Sequence, residues 1–222
     1  MGKTIELTAA DGHKFAAYRA DPAGKPRGAI VVVQEIFGVN HHMRHVTDEF
    51  AAQGYLAISP ALFDRTKRGV ELGYDGDAMT AGRELRAAVG DDGPLADVQA
   101  TIDAAAKSGK VAVVGYCWGG SLAYFAATRL KGIAGAVGYY GGAIAANAAE
   151  KTKVPVMLHF GETDHGIPMS DVEKVRAAHP EIALYTYPAG HGFSCDERAS
   201  YHAESSRIAL DRTLGFLKQH IG

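Results

Sequence analysis

Cysteine is scarce in this chain, with Cys117 and Cys195 the two present in 222 residues. Two cysteines build neither a disulfide framework nor the spacing of a structural zinc site, and such sparse use suits a reducing cytosol. An excess of either charge is lacking too. Lys and Arg number 23 against 25 Asp and Glu, for a net charge of −2, and no basic block occurs. Nucleic acid is therefore not expected as a partner. The one long uncharged stretch, residues 132–149, approaches bilayer-spanning length. It is punctuated by Gly132, Gly135, Gly138, Gly141 and Gly142, which predicts a buried strand running into a glycine-rich loop. Met1-Gly2-Lys3-Thr4-Ile5-Glu6 lacks the apolar core of a signal peptide, and Glu6 stands where a myristoylation motif carries Ser or Thr. A cytoplasmic protein without membrane association is expected. Internal repeats, low-complexity tracts and linkers are also missing, so residues 1–222 are expected to form one domain.

What is present is an ordinary globular composition, 47% hydrophobic and 22% charged, long enough for a full core. Strand and helix patterns alternate. Strands are expected at Thr4–Thr8 and Lys14–Arg19, joined by the Asp11-Gly12 turn. The continuous apolar run Ala29–Val33 reads as a strand buried on both faces. A helix over His41–Gln53 follows, capped by Asn40 and stopped by Gly54. Tyr55–Ser59 is a strand, residues 64–77 an irregular excursion, and Ala78–Val89 and Leu95–Lys107 helices. Beyond Gly109 come the strand Val111–Gly115, the helix Ser121–Leu130, and the strands Ile133–Tyr139 and Pro155–Phe160. The helix Met169–Ala178, the strand Ile182–Tyr187 and a long helix Arg198–His220 complete the chain. This alternation predicts an α/β fold with a mostly parallel sheet covered on both faces. Ligands in such sheets bind at the carboxyl ends of the strands.

Gly115-Tyr116-Cys117-Trp118-Gly119 sits at one such end. It is the strand–sharp turn–helix context of a nucleophile elbow, with cysteine where serine is usual. A small buried cysteine in a glycine-rich turn is the bland alternative. The order nucleophile, acid, histidine decides between them. Asp164 follows the Pro155–Phe160 strand, with Glu162 as its competitor, and His191 follows the Ile182–Tyr187 strand between two glycines. Three elements in the required order at three strand ends make Cys117, Asp164 and His191 the expected triad. His41 and His45 lie four apart on one helix face, but no third ligand is evident and no metal site is expected. Glu35, at the end of the Ala29–Val33 strand, is either satisfied locally or a second carboxylate beside the nucleophile. Ile36 and Trp118 are the expected backbone donors of an oxyanion hole.

On these motifs the chain resembles the dienelactone hydrolases, the carboxymethylenebutenolidases. The strongest parts are Gln34-Glu35-Ile36-Phe37-Gly38-Val39-Asn40, Gly115-Tyr116-Cys117-Trp118-Gly119-Gly120, Tyr139-Tyr140-Gly141 and Gly190-His191-Gly192-Phe193. The resemblance implies an α/β-hydrolase fold, the triad above, no cofactor, and a Glu35 that contacts the resting thiol. It implies a small-molecule lactone or ester as substrate, hydrolysed through an acyl-enzyme. The substrate grip departs from the family pattern. An arginine is expected four residues after the catalytic histidine, and Cys195 stands there. Arg198, Arg83, Tyr139 and Phe37 are the expected substrate-binding residues, with Arg86 a further neighbour. A broad esterase or thioesterase is the alternative reading, and a non-catalytic redox-sensing module using Cys117 the more distant one.

Overall fold

The computed structural model describes residues 2–222. Its centre is an eight-stranded sheet of order β1-β2-β4-β3-β5-β6-β7-β8. β1 (Lys3–Thr8) and β2 (Lys14–Ala20) form an antiparallel hairpin, and β2 pairs antiparallel with β4 (Leu56–Pro60). From β4 onward the sheet is parallel, through β3 (Ala29–Val33), β5 (Val111–Tyr116), β6 (Gly135–Tyr139), β7 (Val156–Gly161) and β8 (Ala183–Tyr187). Successive strand side chains point to opposite faces. Every residue of β3 and β5 is buried, so both faces are covered, as the unbroken apolar runs require. This is an α/β-hydrolase fold. The 132–149 stretch supplies β6 and a loop holding a short 3₁₀ turn at Ala145–Asn147. No described helix is long and apolar enough to cross a membrane.

The helices are α1 (His41–Ala52), α2 (Gly76–Val89), α3 (Asp92–Ala105), α4 (Trp118–Arg129), α5 (Met169–Ala178) and α6 (Ala203–His220). Asn40 caps α1 by accepting the Met43 N–H at 3.1 Å, and Asp75 caps α2 through the Ala78 N–H at 2.8 Å. Four helix starts differ from the sequence expectation: α2 and α3 begin at Gly76 and Asp92, earlier than Ala78 and Leu95, and the starts of α6 and α4 bear on the site. α6 begins at Ala203, with the His202 side chain accepting the Ser205 N–H. Arg198 therefore lies in the preceding chain of turns and does not open the helix. α4 begins directly after Cys117, not at Ser121. Gly119 and Gly120 look like helix breakers in the sequence, yet here they let the first turn of α4 touch the sheet. A Cβ at Gly119 would land on the carbonyl oxygens of Val33 and Gln34, and one at Gly120 on that of Tyr139. The helix dipole and free N–H groups of α4 are thus brought to the end of β5.

Paired substitutions test this reading. Gly119→Ala should lower unfolding free energy by roughly 1–3 kcal/mol or more, because backbone must move to admit the methyl group. Gly215→Ala, on an exposed position of α6 with nothing within 4 Å of the added carbon, should raise it by about 0.5–1 kcal/mol. Urea denaturation of both variants measures the contrast. Equal effects would remove the close-approach argument.

Candidate active site

Cys117 occupies the turn between β5 and α4 with φ 55° and ψ −116°. That left-handed conformation costs a non-glycine residue about 1–3 kcal/mol and is held by its surroundings. The Cys117 N–H donates to Tyr139 O at 3.0 Å, and the Cys117 carbonyl accepts from Gly120 at 3.0 Å. The half-buried thiol is thereby aimed out over the sheet end. Its Sγ lies 3.1 Å from His191 Nε2, and His191 Nδ1 lies 2.7 Å from Asp164 Oδ2. Asp164 is 4% exposed, and its Oδ1 accepts the Gly166 N–H at 2.8 Å. Both carboxylate oxygens are committed, so the carboxylate cannot turn away from the imidazole. A carboxylate accepts, so His191 Nδ1 donates to it and Nε2 faces the sulfur.

The loops carrying acid and histidine are tied together. Thr163 N–H donates to Ala189 O at 3.1 Å, and a Cβ at Gly161 would collide with that same carbonyl. The Tyr140 ring packs 5.1 Å from the imidazole. Burial alone would make His191 easier to deprotonate, but the hydrogen bonds to Asp164 and Cys117 outweigh it and raise its pKa to about 10.

These groups open into a groove of about 630 Å³ that Ile36, Phe37, Arg83 and Arg198 also line. Ile36 N–H has no backbone hydrogen bond among the described residues. Trp118 is the first residue of α4, so its N–H has no intrahelical acceptor. Ile36 lines the groove, and Trp118 directly follows Cys117 in the turn. The Trp118 ring turns away, stacked 5.5 Å from Phe63 with Nε1 donating to Asp91 at 2.9 Å.

Several expected residues are placed differently. Glu35 does not hydrogen-bond the thiol. Its Oε1 accepts from Arg198 Nη1 at 3.1 Å, its Oε2 has no partner, and both side chains are nearly buried, at 1% and 13% exposure. Arg198 thus enters the groove already paired, its guanidinium 5.7 Å from the Phe37 ring. Tyr139 is 1% exposed and directs its hydroxyl to Thr213 Oγ1 at 2.6 Å, away from the groove. Its neighbour Tyr140, just beyond the end of β6 with φ 39°, packs against His191 instead. Because β6 is buried on both faces, hydropathy could not tell which tyrosine faces the site. Arg86 pairs with Asp91 at 3.3 Å, whereas Arg83 lines the groove and has no ion-pair partner among the described residues. Glu162 is exposed and accepts from Thr186 Oγ1. His41 and His45 face separate carboxylates, Glu197 and Glu49. Met79 and Ser200 also line the groove and were not singled out from the sequence. Neither carries a motif, and nothing local announces them.

The Dienelactone hydrolase family model matches residues 15–221. The chain belongs to the dienelactone hydrolase family. It is 34% identical to a carboxymethylenebutenolidase of Pseudomonas putida, over 96% of this chain and 94% of that protein. It is 37% identical to another from a Pseudomonas sp. strain, over 97% and 94%. A solved Klebsiella pneumoniae structure, provisionally assigned as a dienelactone hydrolase, superposes with a TM-score of 0.87 at 30% identity. That match covers 99% of this chain and all of the other.

The raised His191 pKa makes stability depend on pH. The folded state holds a proton that the unfolded state releases near pH 6.5, so the contribution is complete below 6.5 and is lost as pH rises through about 10. Urea unfolding of wild type and His191→Gln should show a stability gap that narrows steadily across that window. A gap of constant size from pH 6 to 10.5 would contradict the assignment.

Proposed function

We propose that this chain hydrolyses a small lactone or carboxylic ester with Cys117 as nucleophile, His191 as proton carrier and Asp164 as its orienting acid. Membership of the family supports a hydrolase of ester or lactone bonds, which leaves a non-catalytic redox module without support. The observation that carries the mechanism is the unbroken line from Asp164 through His191 to Cys117, at 2.7 and 3.1 Å, at the wall of the groove.

The steps follow from that line. Sulfur attacks the carbonyl carbon with its proton already held on His191 Nε2, whose raised affinity for a proton suits the role. The carbonyl oxygen gains the negative charge and rests on the Ile36 and Trp118 N–H groups. Collapse breaks the C–O bond, and His191 returns its proton to the departing alkoxide; in a lactone this opens the ring. Water then attacks the thioester, giving one proton to His191 as base, and the C–S bond breaks, releasing the carboxylic acid and restoring the starting sulfur–imidazole pair. Glu35 acts through Arg198 as a positioning residue, holding the guanidinium over Phe37.

Substrate charge is read by Arg83. Arg198 is neutralised by Glu35, so Arg83 is the groove cation left to meet a substrate carboxylate. The same pairing favours a second reading, a broader esterase or thioesterase, because a groove with one free arginine grips an acidic substrate less firmly than one with two.

Cys117→Ala should abolish lactone and aryl-ester turnover by several orders of magnitude, and Cys117→Ser should also be poor. Near-parental activity of the alanine variant in a steady-state assay would end the mechanism. Arg83→Ala should raise KM for acidic esters roughly ten- to a hundred-fold, the scale of a charge-assisted hydrogen bond, and leave neutral esters unchanged. Arg198→Ala should instead lower stability by about 3–5 kcal/mol, because Glu35 is left buried and unpaired, and impair both substrate classes. Reversal of the two patterns would assign the anion grip to Arg198.

A further inference from the structure

A second group of ligating side chains lies outside the catalytic groove, and the reaction uses none of them. His42, the second residue of α1, is 3% exposed, and its Nδ1 lies 3.0 Å from Asp196 Oδ1. Cys195 is fully buried beside them. The imidazole nitrogen, the thiol sulfur and a carboxylate oxygen all lie within 4.8 Å of one another. Cys195 and Asp196 come from the turns after β8, and His42 from the opposite end of the chain.

We propose that His42, Cys195 and Asp196 form a binding site for a divalent transition-metal ion of the zinc or cobalt kind. One nitrogen, one sulfur and one carboxylate oxygen are a donor set these ions accept. Tetrahedral bonds of about 2.0–2.3 Å place donor atoms about 3.3–3.8 Å apart. Separations from 3.0 Å to at most 4.8 Å reach that arrangement by shifts of about an ångström or less. A thiolate and a carboxylate balance the ion's two charges. Asp196 is exposed, which gives the ion a way in and leaves the fourth position facing solvent.

Tyr74 and Glu35 face the thiol, and Arg198 is the opposing charge. Glu35 Oε2 is buried without a partner, a negative charge close enough to act on Cys195. On binding, the S–H bond is exchanged for a metal–sulfur bond and one proton is released. The ion would fasten the start of α1 to the turns that carry Arg198, a second tie beside the His41–Glu197 pair.

Cobalt(II) reports both the ligand and the geometry. Titration of metal-free protein should produce a near-ultraviolet thiolate-to-cobalt band and visible tetrahedral bands that saturate at one ion per chain and are displaced by zinc. Cys117→Ser should keep them, because the catalytic cysteine is not a ligand, and Cys195→Ser should lose the thiolate band. Asp196→Asn, a surface change that tests the site even if the cysteine variant folds poorly, should weaken binding by at least ten- to a hundred-fold. No thiolate band in the wild-type protein would overturn the proposal. So would a band that follows Cys117, or one indifferent to Asp196→Asn and His42→Gln. The readout is independent of turnover, so it does not stand or fall with the hydrolytic reading.

Discussion

The close approach of α4 to the ends of β3, β5 and β6 is the constraint on which the site depends. Backbone meets backbone there, with no room for a Cβ at Gly115, Gly119 or Gly120. That contact fixes Cys117 in its strained conformation and points the thiol outward. It also leaves the Trp118 N–H unpaired, close to the loop after β3 that supplies the Ile36 N–H. The proposed nucleophile and the proposed charge-stabilising donors are therefore set by one packing event. The strain at Cys117 sits where backbone packs directly against backbone, and those contacts hold it in place.

The Glu35–Arg198 pair is the second organising contact. It joins the end of β3 to the turns before α6, elements at opposite ends of the chain. A buried pair of this kind is weak evidence for stability, since desolvation offsets much of the attraction. Its value here lies in position. It sets an ion pair into the wall of a groove where Arg83 is, among the described residues, an arginine without an ion-pair partner, and it leaves Glu35 Oε2 buried without a hydrogen-bond partner. The turns over residues 192–201 consequently serve two environments: Arg198 and Ser200 face the groove, while Cys195 and Asp196 face α1.

Cys195 illustrates how a departure from the family pattern acquires meaning only in three dimensions. In the sequence it marks a missing arginine. In the fold it is fully buried against His42, Asp196 and Tyr74, and Arg198, three residues on, reaches the space near the thiol. The histidines of α1 show the same limit. His41 and His45 share a helix face, which is what periodicity can detect. His42 faces inward to residues more than a hundred positions away, and no local spacing reports that.

The sequence by itself determined the strand–helix alternation, the parallel sheet and the order Cys117, Asp164, His191. Apolar runs, glycine turns and motif order are local properties, and each is written within a few neighbouring residues. The start of α4 was misplaced because glycine's low helix propensity is a local average, while the close contact that demands glycine is tertiary. Only the tertiary structure decided that Tyr140 and not Tyr139 meets His191, that Glu35 binds Arg198 and not the thiol, and that Arg83 stays free while Arg86 does not. Each of these is a competition among partners for one charged or polar group. Distance settles such competitions, and distances between residues far apart in the chain exist only once it has folded.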